Sequence, residues 1–526
     1  GAEDAVPPGP PLGLAGPPPG LAVPAAPEGP APVPAGAAGP IAGGAATRSA
    51  FEGWLRHWRG TYADAAGAKT ESVPPSLDGV RPKVVADDRG APLPQEMGYA
   101  LMVEGFLAAA GDGVALENGM SLLRAWLDLS GQDPEGGPST GADVDAVLGA
   151  AYLSEALGHP DDLVEVVMRA IIAYAAVDLG FPDLYRTLPD GTRAFIAKGG
   201  WRWGGLQPDG GPQEAAWCYS PSGFSPGHLR ALRDFASEHW APLFDGLLPA
   251  RLDKSPTSIG ELKASFDGAI VAGYNILYYA SCESGVVSSW VGVKAECADG
   301  APSCDGVPWA STPFVGEAGA CSLSGSPFGS FGPGAAQTPW RVALDYVLFP
   351  EESSEVLVYT RQGALEEGAR FGAATYLRRL SAHYRQSAQC DGGQPGGCVQ
   401  RGRVAAPLLA HAFEPGAPAL TCPGVPLPGH DWWASFMSYP TFTAFVVPVD
   451  DLPREQGAAW LDTLASLCTF SDDGEPSGYL CSTSNFELDQ ELVSTMIMAG
   501  AVQPPKPAGA AAPLPASAAP RPGGAA

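Results

Sequence analysis

The chain has no His-Glu-x-x-His and no Cys-x-x-Cys pair, so neither a zinc protease helix nor a zinc ribbon is written into it. It is also short of positive charge. Against 57 acids stand 30 Lys plus Arg, a formal charge of -27, which repels phosphate backbones and anionic lipid surfaces and excludes nucleic acid as a partner. No run of about 20 uncharged apolar residues occurs, so membrane insertion is not expected, and no basic-then-apolar leader stands at residue 1, so a mature, soluble form is expected. Strand-like alternation is sparse.

Cysteine is present in an even number, ten, all between Cys218 and Cys481 and several close together, as in Cys297/Cys304, Cys390/Cys398 and Cys468/Cys481. That usage fits disulfides in an oxidising compartment, and a secreted or surface-tethered protein is expected. Residues 1–46 and 504–526 consist almost wholly of Pro, Ala, Gly and Val. Such composition lacks the large apolar groups that offset ordering entropy, so both ends read as Pro-rich tethers around one folded domain, 47–503.

Within that domain, apolar residues recur at i, i+3, i+4 over 49–63, 96–110, 117–129, 142–157, 161–178, 226–240, 258–281, 338–348, 366–387, 436–447, 456–468 and 487–500. About a dozen helices follow, in an all-α fold. Long Gly/Pro/Ser-rich connections at 130–141, 196–225, 298–337 and 388–436 exceed ordinary loop length and read as functional or disulfide-stapled. No 34- or 40-residue repeat supports a solenoid. A double-layered ring of helices, with loops lining a cleft at one end, is the expected architecture.

Six stretches occur in order: "QEMGYALMV" (95–103), "GADVDAVLGAAYL" (141–153), "SPSGFSPGHLRAL" (220–232), "GVVSSW" (285–290), "QTPWRVALDY" (337–346) and "ELDQELVSTMIMAG" (487–500). Together they resemble family 8 glycoside hydrolases, inverting enzymes of β-1,4-linked polysaccharides on an (α/α)6 barrel. The resemblance runs from about residue 50 to 503. It implies a polysaccharide or oligosaccharide partner of β-1,4-glucan type, with no cofactor and no metal.

The family reaction needs a carboxylic acid to protonate the glycosidic oxygen and an ionised base to activate water on the far face of the sugar. Three residues before Gly98, where the resemblance puts the acid, stands Gln95, an amide with no proton to give. Glu96 follows it, displaced by about 100° and about 1.5 Å along a helix. Asp143 and Asp145 survive from an Asp-rich helix start; they read either as groups that hold the central sugar or as helix caps. The base position of one branch falls on Gly334, and Ser289 stands where an Asp is common. Arg341 and Asp345, at i, i+4, read most simply as an ion pair on one helix.

Tyr99, Trp340 and Arg341 match the scaffold of the family and, with Gln95, are candidate substrate contacts. Trp201, Trp203, Trp217 and Tyr219 sit in a Gly-rich loop, and Trp432 and Trp433 in another, where indoles could stack on pyranose faces or plug the ring ends. The seven histidines are scattered and His228 reads as a helix-start residue, so no Ser/His/Asp hydrolase is expected.

Three readings follow. The first is a carbohydrate-binding member with weak or no hydrolysis, its acid and base substituted. The second is an active endo-β-1,4-glycanase using Glu96 or a loop carboxylate as acid and Asp143 or Asp145 as a base or stabiliser. The third is a non-catalytic structural or assembly module.

Overall fold

The computed structural model describes residues 44–65, 74–86, 92–130, 140–179, 216–244, 256–281, 335–354, 356–359, 365–387 and 485–504, with shorter stretches within 185–197, 281–331 and 411–478. Among these lie ten longer helices: α1 (Ala45–Arg59), α2 (Pro94–Ala109), α3 (Gly113–Ser130), α4 (Thr140–Ala156), α5 (Asp161–Val177), α6 (Pro226–Phe244), α7 (Ile259–Ala280), α8 (Gln337–Leu348), α9 (Ala373–Ser387) and α10 (Asn485–Met498). The remaining elements are short antiparallel strands at the connections, such as β1 (Tyr62–Asp64) on β2 (Lys83–Val85).

The helices form two layers. Helix α2 packs on α4, α4 on α6, α6 on α8, α8 on α10, and α10 back on α2, so the described residues close a ring. Outside it, α3 lies on α2 and α4, α5 on α4 and α6, α7 on α6, α9 on α8, and α1 on α10. Sequence determines which layer each helix joins. In α2, residues 97–108 are buried without interruption, as a helix enclosed on all sides requires, whereas α1 buries Phe51, Trp54, Leu55 and Trp58 and exposes Arg48 and Arg56.

Close approach of two inner helices depends on glycine at one seam. A methyl group on Gly98 would strike the Ala142 carbonyl, one on Gly105 the Gly149 backbone, and one on Gly149 the Leu101 backbone. The pairs 98/142 and 105/149 advance together, so α2 and α4 run parallel with their N-termini at the same end.

The helical segments expected over 49–63, 96–110, 117–129, 142–157, 161–178, 226–240, 258–281, 338–348 and 487–500 are all helices with shifted ends. One is corrected. In 366–387 the first part is a strand, β4 (Leu365–Arg370), paired with β3 (Leu357–Tyr359), and α9 starts only at Ala373. Gly372, between strand and helix, passes so close to the Ser353 carbonyl that a side-chain carbon there would strike it. The helices expected at 436–447 and 456–468 fall outside the described residues apart from isolated positions, as do the two chain ends.

Candidate functional site at the N-terminal end of the ring

Each inner helix delivers its first turn to the same end of the ring. Gly141 of α4 lies against the Arg341 guanidinium of α8 and near Gly223, just before α6, while Tyr99 of α2 donates to Gln337 Oε1 at 2.7 Å across to α8. Trp340 Nε1 of α8 donates to Gln490 Oε1 of α10 at 2.7 Å. Aligned helix N-termini present partial positive charge there, an environment suited to acidic side chains and to ligand oxygens.

At the centre Asp145 and Arg341 form a two-pronged pair. Nη1 donates to Oδ1 at 2.8 Å and Nη2 to Oδ2 at 2.7 Å. His228 Nε2 stands 2.8 Å from the same Oδ1, and Arg341 also donates to Ser225 Oγ at 2.6 Å. All of these side chains are buried. Burial alone would raise the Asp145 carboxyl, but Arg341 and His228 outweigh it and hold the group below the usual carboxylate range. Burial pushes His228 down, so its imidazole is neutral at neutral pH.

This overturns two sequence expectations. Arg341 does not pair with Asp345 along α8; it reaches 196 residues back to Asp145. Asp345 accepts instead from Arg230 Nε at 3.0 Å and from the Tyr274 hydroxyl at 2.6 Å. Nor is Asp145 a cap or an open sugar-holding carboxylate, because both oxygens are taken and none of its surface reaches solvent. Tyr99, Trp340 and Arg341, expected as substrate contacts, are core residues: 0%, 0% and 1% exposed, with the guanidinium carbon stacked 4.4 Å from the Trp340 ring centroid. A barrel wall built from large aromatic and cationic groups needs them inside, where motif matching cannot separate wall from lining.

Around this pair stand three more acids. Glu96, on the first turn of α2, is half-buried, and burial raises its carboxyl above the ordinary value. Asp143, on the first turn of α4, is pushed up to about 9, first by burial, then by the charges of Asp178 and Asp145. Asp489, near the start of α10, is fully buried; burial pushes its carboxyl well up, and Glu96 and Asp145 add to this. At neutral pH, Asp143 therefore holds a proton, and Asp145 holds a charge. Asp489 feels the charge of Glu96. Gln95 beside it is half-buried.

Sequence reasoning passed over Asp489, Asp178 and the roles of His228 and Ser225. Asp489 was readable as a second acid within "ELDQEL", on a helix apolar enough to be internal. Ser225 does stand in Gly223-Phe-Ser-Pro-Gly227, a Gly-x-Ser-x-Gly spacing. Its hydroxyl is held by Arg341 and by the Gly223 carbonyl at 3.2 Å, and among the described residues no hydrogen bond joins it to His228, whose Nε2 faces Asp145; the geometry is not that of a nucleophile elbow. Trp201, Trp203, Trp432, Trp433, Ser289 and Gly334, and the side chains of Trp217 and Tyr219, lie outside the described residues.

No family model matches the chain, and no curated protein matches it. Among solved structures it is similar to the endo-β-1,4-glucanase CMCax from Acetobacter xylinum, at 12% identity and a TM-score of 0.40, over 79% of this chain and 96% of that one. It is also similar to a reducing-end-xylose releasing exo-oligoxylanase, at 11% identity and a TM-score of 0.47, over 88% of this chain and 94% of that one. The same exo-oligoxylanase complexed with xylose matches at 11% identity and a TM-score of 0.47, over 87% and 94%.

Proposed function

We propose that the chain is a glycoside-hydrolase-like protein that binds a β-1,4-linked glucan-type polysaccharide at the N-terminal end of its helical ring and cleaves it slowly or not at all. The six ordered motifs supply the substrate class. The site supplies the chemistry. Protonated acids and the Gln95 amide can donate hydrogen bonds to sugar oxygens, while cleavage with inversion also needs an ionised carboxylate beside a water.

One observation carries the second half of this reading. Asp145, which is held ionised, is wholly consumed by Arg341 and His228, and Asp143 keeps its proton to about 9. No carboxylate among these is both ionised and open to water. The cysteines and the Pro-rich ends support secretion into an oxidising compartment; thiol titration of the denatured, unreduced protein should then find no free thiol.

Isothermal calorimetry with cellohexaose and xylohexaose tests binding, and a reducing-sugar assay on soluble β-glucan tests cleavage. Measurable affinity with turnover at least about a thousandfold below an ordinary enzyme rate is expected. Rapid wild-type turnover lost on changing one carboxylate would overturn the reading, as would absence of affinity for either sugar.

The active-enzyme reading has one observation in its favour: Glu96 is half-buried with a raised carboxyl, the condition of a general acid. It requires a bell-shaped pH profile abolished by Glu96→Gln.

A further inference from the structure

The end of α4 away from Asp143 and Asp145 is fastened to α6 by three rings. Gly158 and then His159 follow α4 with positive φ, 75° and 60°, and their N–H groups close the helix by donating to the Glu155 and Ser154 carbonyls at 2.9 and 2.7 Å. Glycine adopts that conformation freely, whereas His159 is the one non-glycine residue at positive φ among those described. Its neighbours must hold it there. The centre of its ring lies 4.9 Å from that of His239 and 5.9 Å from that of Phe235, both on α6, and those two rings are 4.5 Å apart.

His239 is 9% exposed and its Nε2 has no hydrogen-bond partner. A neutral ring there leaves one nitrogen unmet; a cation would add a buried charge and an N–H with no acceptor. Burial, then the charge of His159, pull the His239 imidazole below its ordinary value, and Glu238 beside it on α6 offsets them only in part. The other charged groups on the helices packed here are engaged differently. Asp162 of α5 accepts from the Ser76 and Leu163 N–H groups, Glu165 pairs with Arg169, Arg233 of α6 pairs with Asp234, Asp267 and Glu352, and Glu261 of α7 accepts from Thr257. Glu155 of α4, Asp161 of α5 and Lys263 of α7 complete the set at this end.

We propose that His159 and His239 form an acid-released latch that holds the turn between α4 and α5 against α6. With both rings neutral, the turn stays stacked on His239 and Phe235. The closed latch refuses a proton that the open one accepts, between the lowered His239 value and the ordinary imidazole value of about 6.5. Closure is therefore favoured fully above that window and weakens as pH falls through it. Opening also lets His159 leave its left-handed backbone conformation. The latch lies at the far end of the helix that carries Asp143 and Asp145, so it holds whatever that site binds.

Hydrogen exchange of the full chain, read by mass spectrometry over residues 153–164 and referenced to the buried α2 amides of the same sample, tests the latch. Between pH 7 and pH 5 the wild-type turn should lose protection about fivefold or more relative to α2. His239→Phe, which keeps a ring and removes the charge, should change less than about twofold over the same range. NMR of the full chain with 13C-labelled histidine gives a second readout: His239 should titrate below the ordinary imidazole value, and His159→Asn, which tolerates the same backbone conformation, should move that midpoint upward. Equal loss of protection in wild type and His239→Phe overturns the latch, because carboxyl groups rather than imidazoles would then be releasing the turn. A His239 midpoint unmoved by His159→Asn overturns the pairing of the two rings. If His239→Phe does not fold, wild-type protection that stays unchanged between pH 7 and pH 5 overturns the latch on its own.

Discussion

Arg341 and Asp145 are each other's main compensation for burial, and this makes the effect of removing one partner predictable. Arg341→Met leaves a carboxylate at 0% exposure facing only a neutral imidazole. The expected loss is about 3–5 kcal/mol in denaturant unfolding, and the double variant Arg341→Met, Asp145→Leu should recover a large part of it. Asp143 gives a pH-dependent case. Its proton is held to about 9 in the folded chain but lost near the ordinary aspartate value when unfolded, so the folded form binds the extra proton between those limits. Stability therefore falls across that window as pH rises. Asp143→Asn should raise the melting temperature at pH 8 and change it little at pH 4, measured by calorimetric scans at both. Asp145 works in the opposite sense, contributing above the ordinary aspartate value and failing as pH drops through its lowered one. The sequence showed both aspartates and could not tell them apart, because what separates them is Arg341, brought in from another helix.

Helix packing accounts for what could be read at the level of elements. The helices were legible because 3.6-residue periodicity survives in outer helices such as α1 and because unbroken apolar runs mark inner ones such as α2. Leu365–Arg370 was not, since six residues fit a helical turn or a strand equally well and the choice was made by pairing with Leu357–Tyr359. The α2–α4 seam offers a matched comparison. Gly98→Ala should cost about 1–3 kcal/mol, because its methyl meets backbone that cannot step aside. Gly113→Ala, at the start of α3 with nothing within 4 Å of the new methyl, should be neutral or slightly stabilising. Equal effects from the two, read by urea unfolding, would mean that the seam is looser than drawn.

On the scale of the whole molecule, three features meet at one end of the ring: parallel inner helices, acids with raised carboxyls and a buried ion pair. That coincidence was partly visible as ordered motifs, but the distances between motifs in sequence hide that their residues converge. The ring is shut by α10, which rests on α1 and α2, and the same seam carries the bonds from Thr47 to Asp462 and from Trp54 Nε1 to Cys468 across 415 and 414 residues. A ribosome must therefore release the chain through Met498 before α1 can meet its final neighbour. Nascent chains arrested ahead of residue 485 should remain sensitive to protease in α1 and α2, and resistance should arrive in one step once the C-terminal clasp emerges.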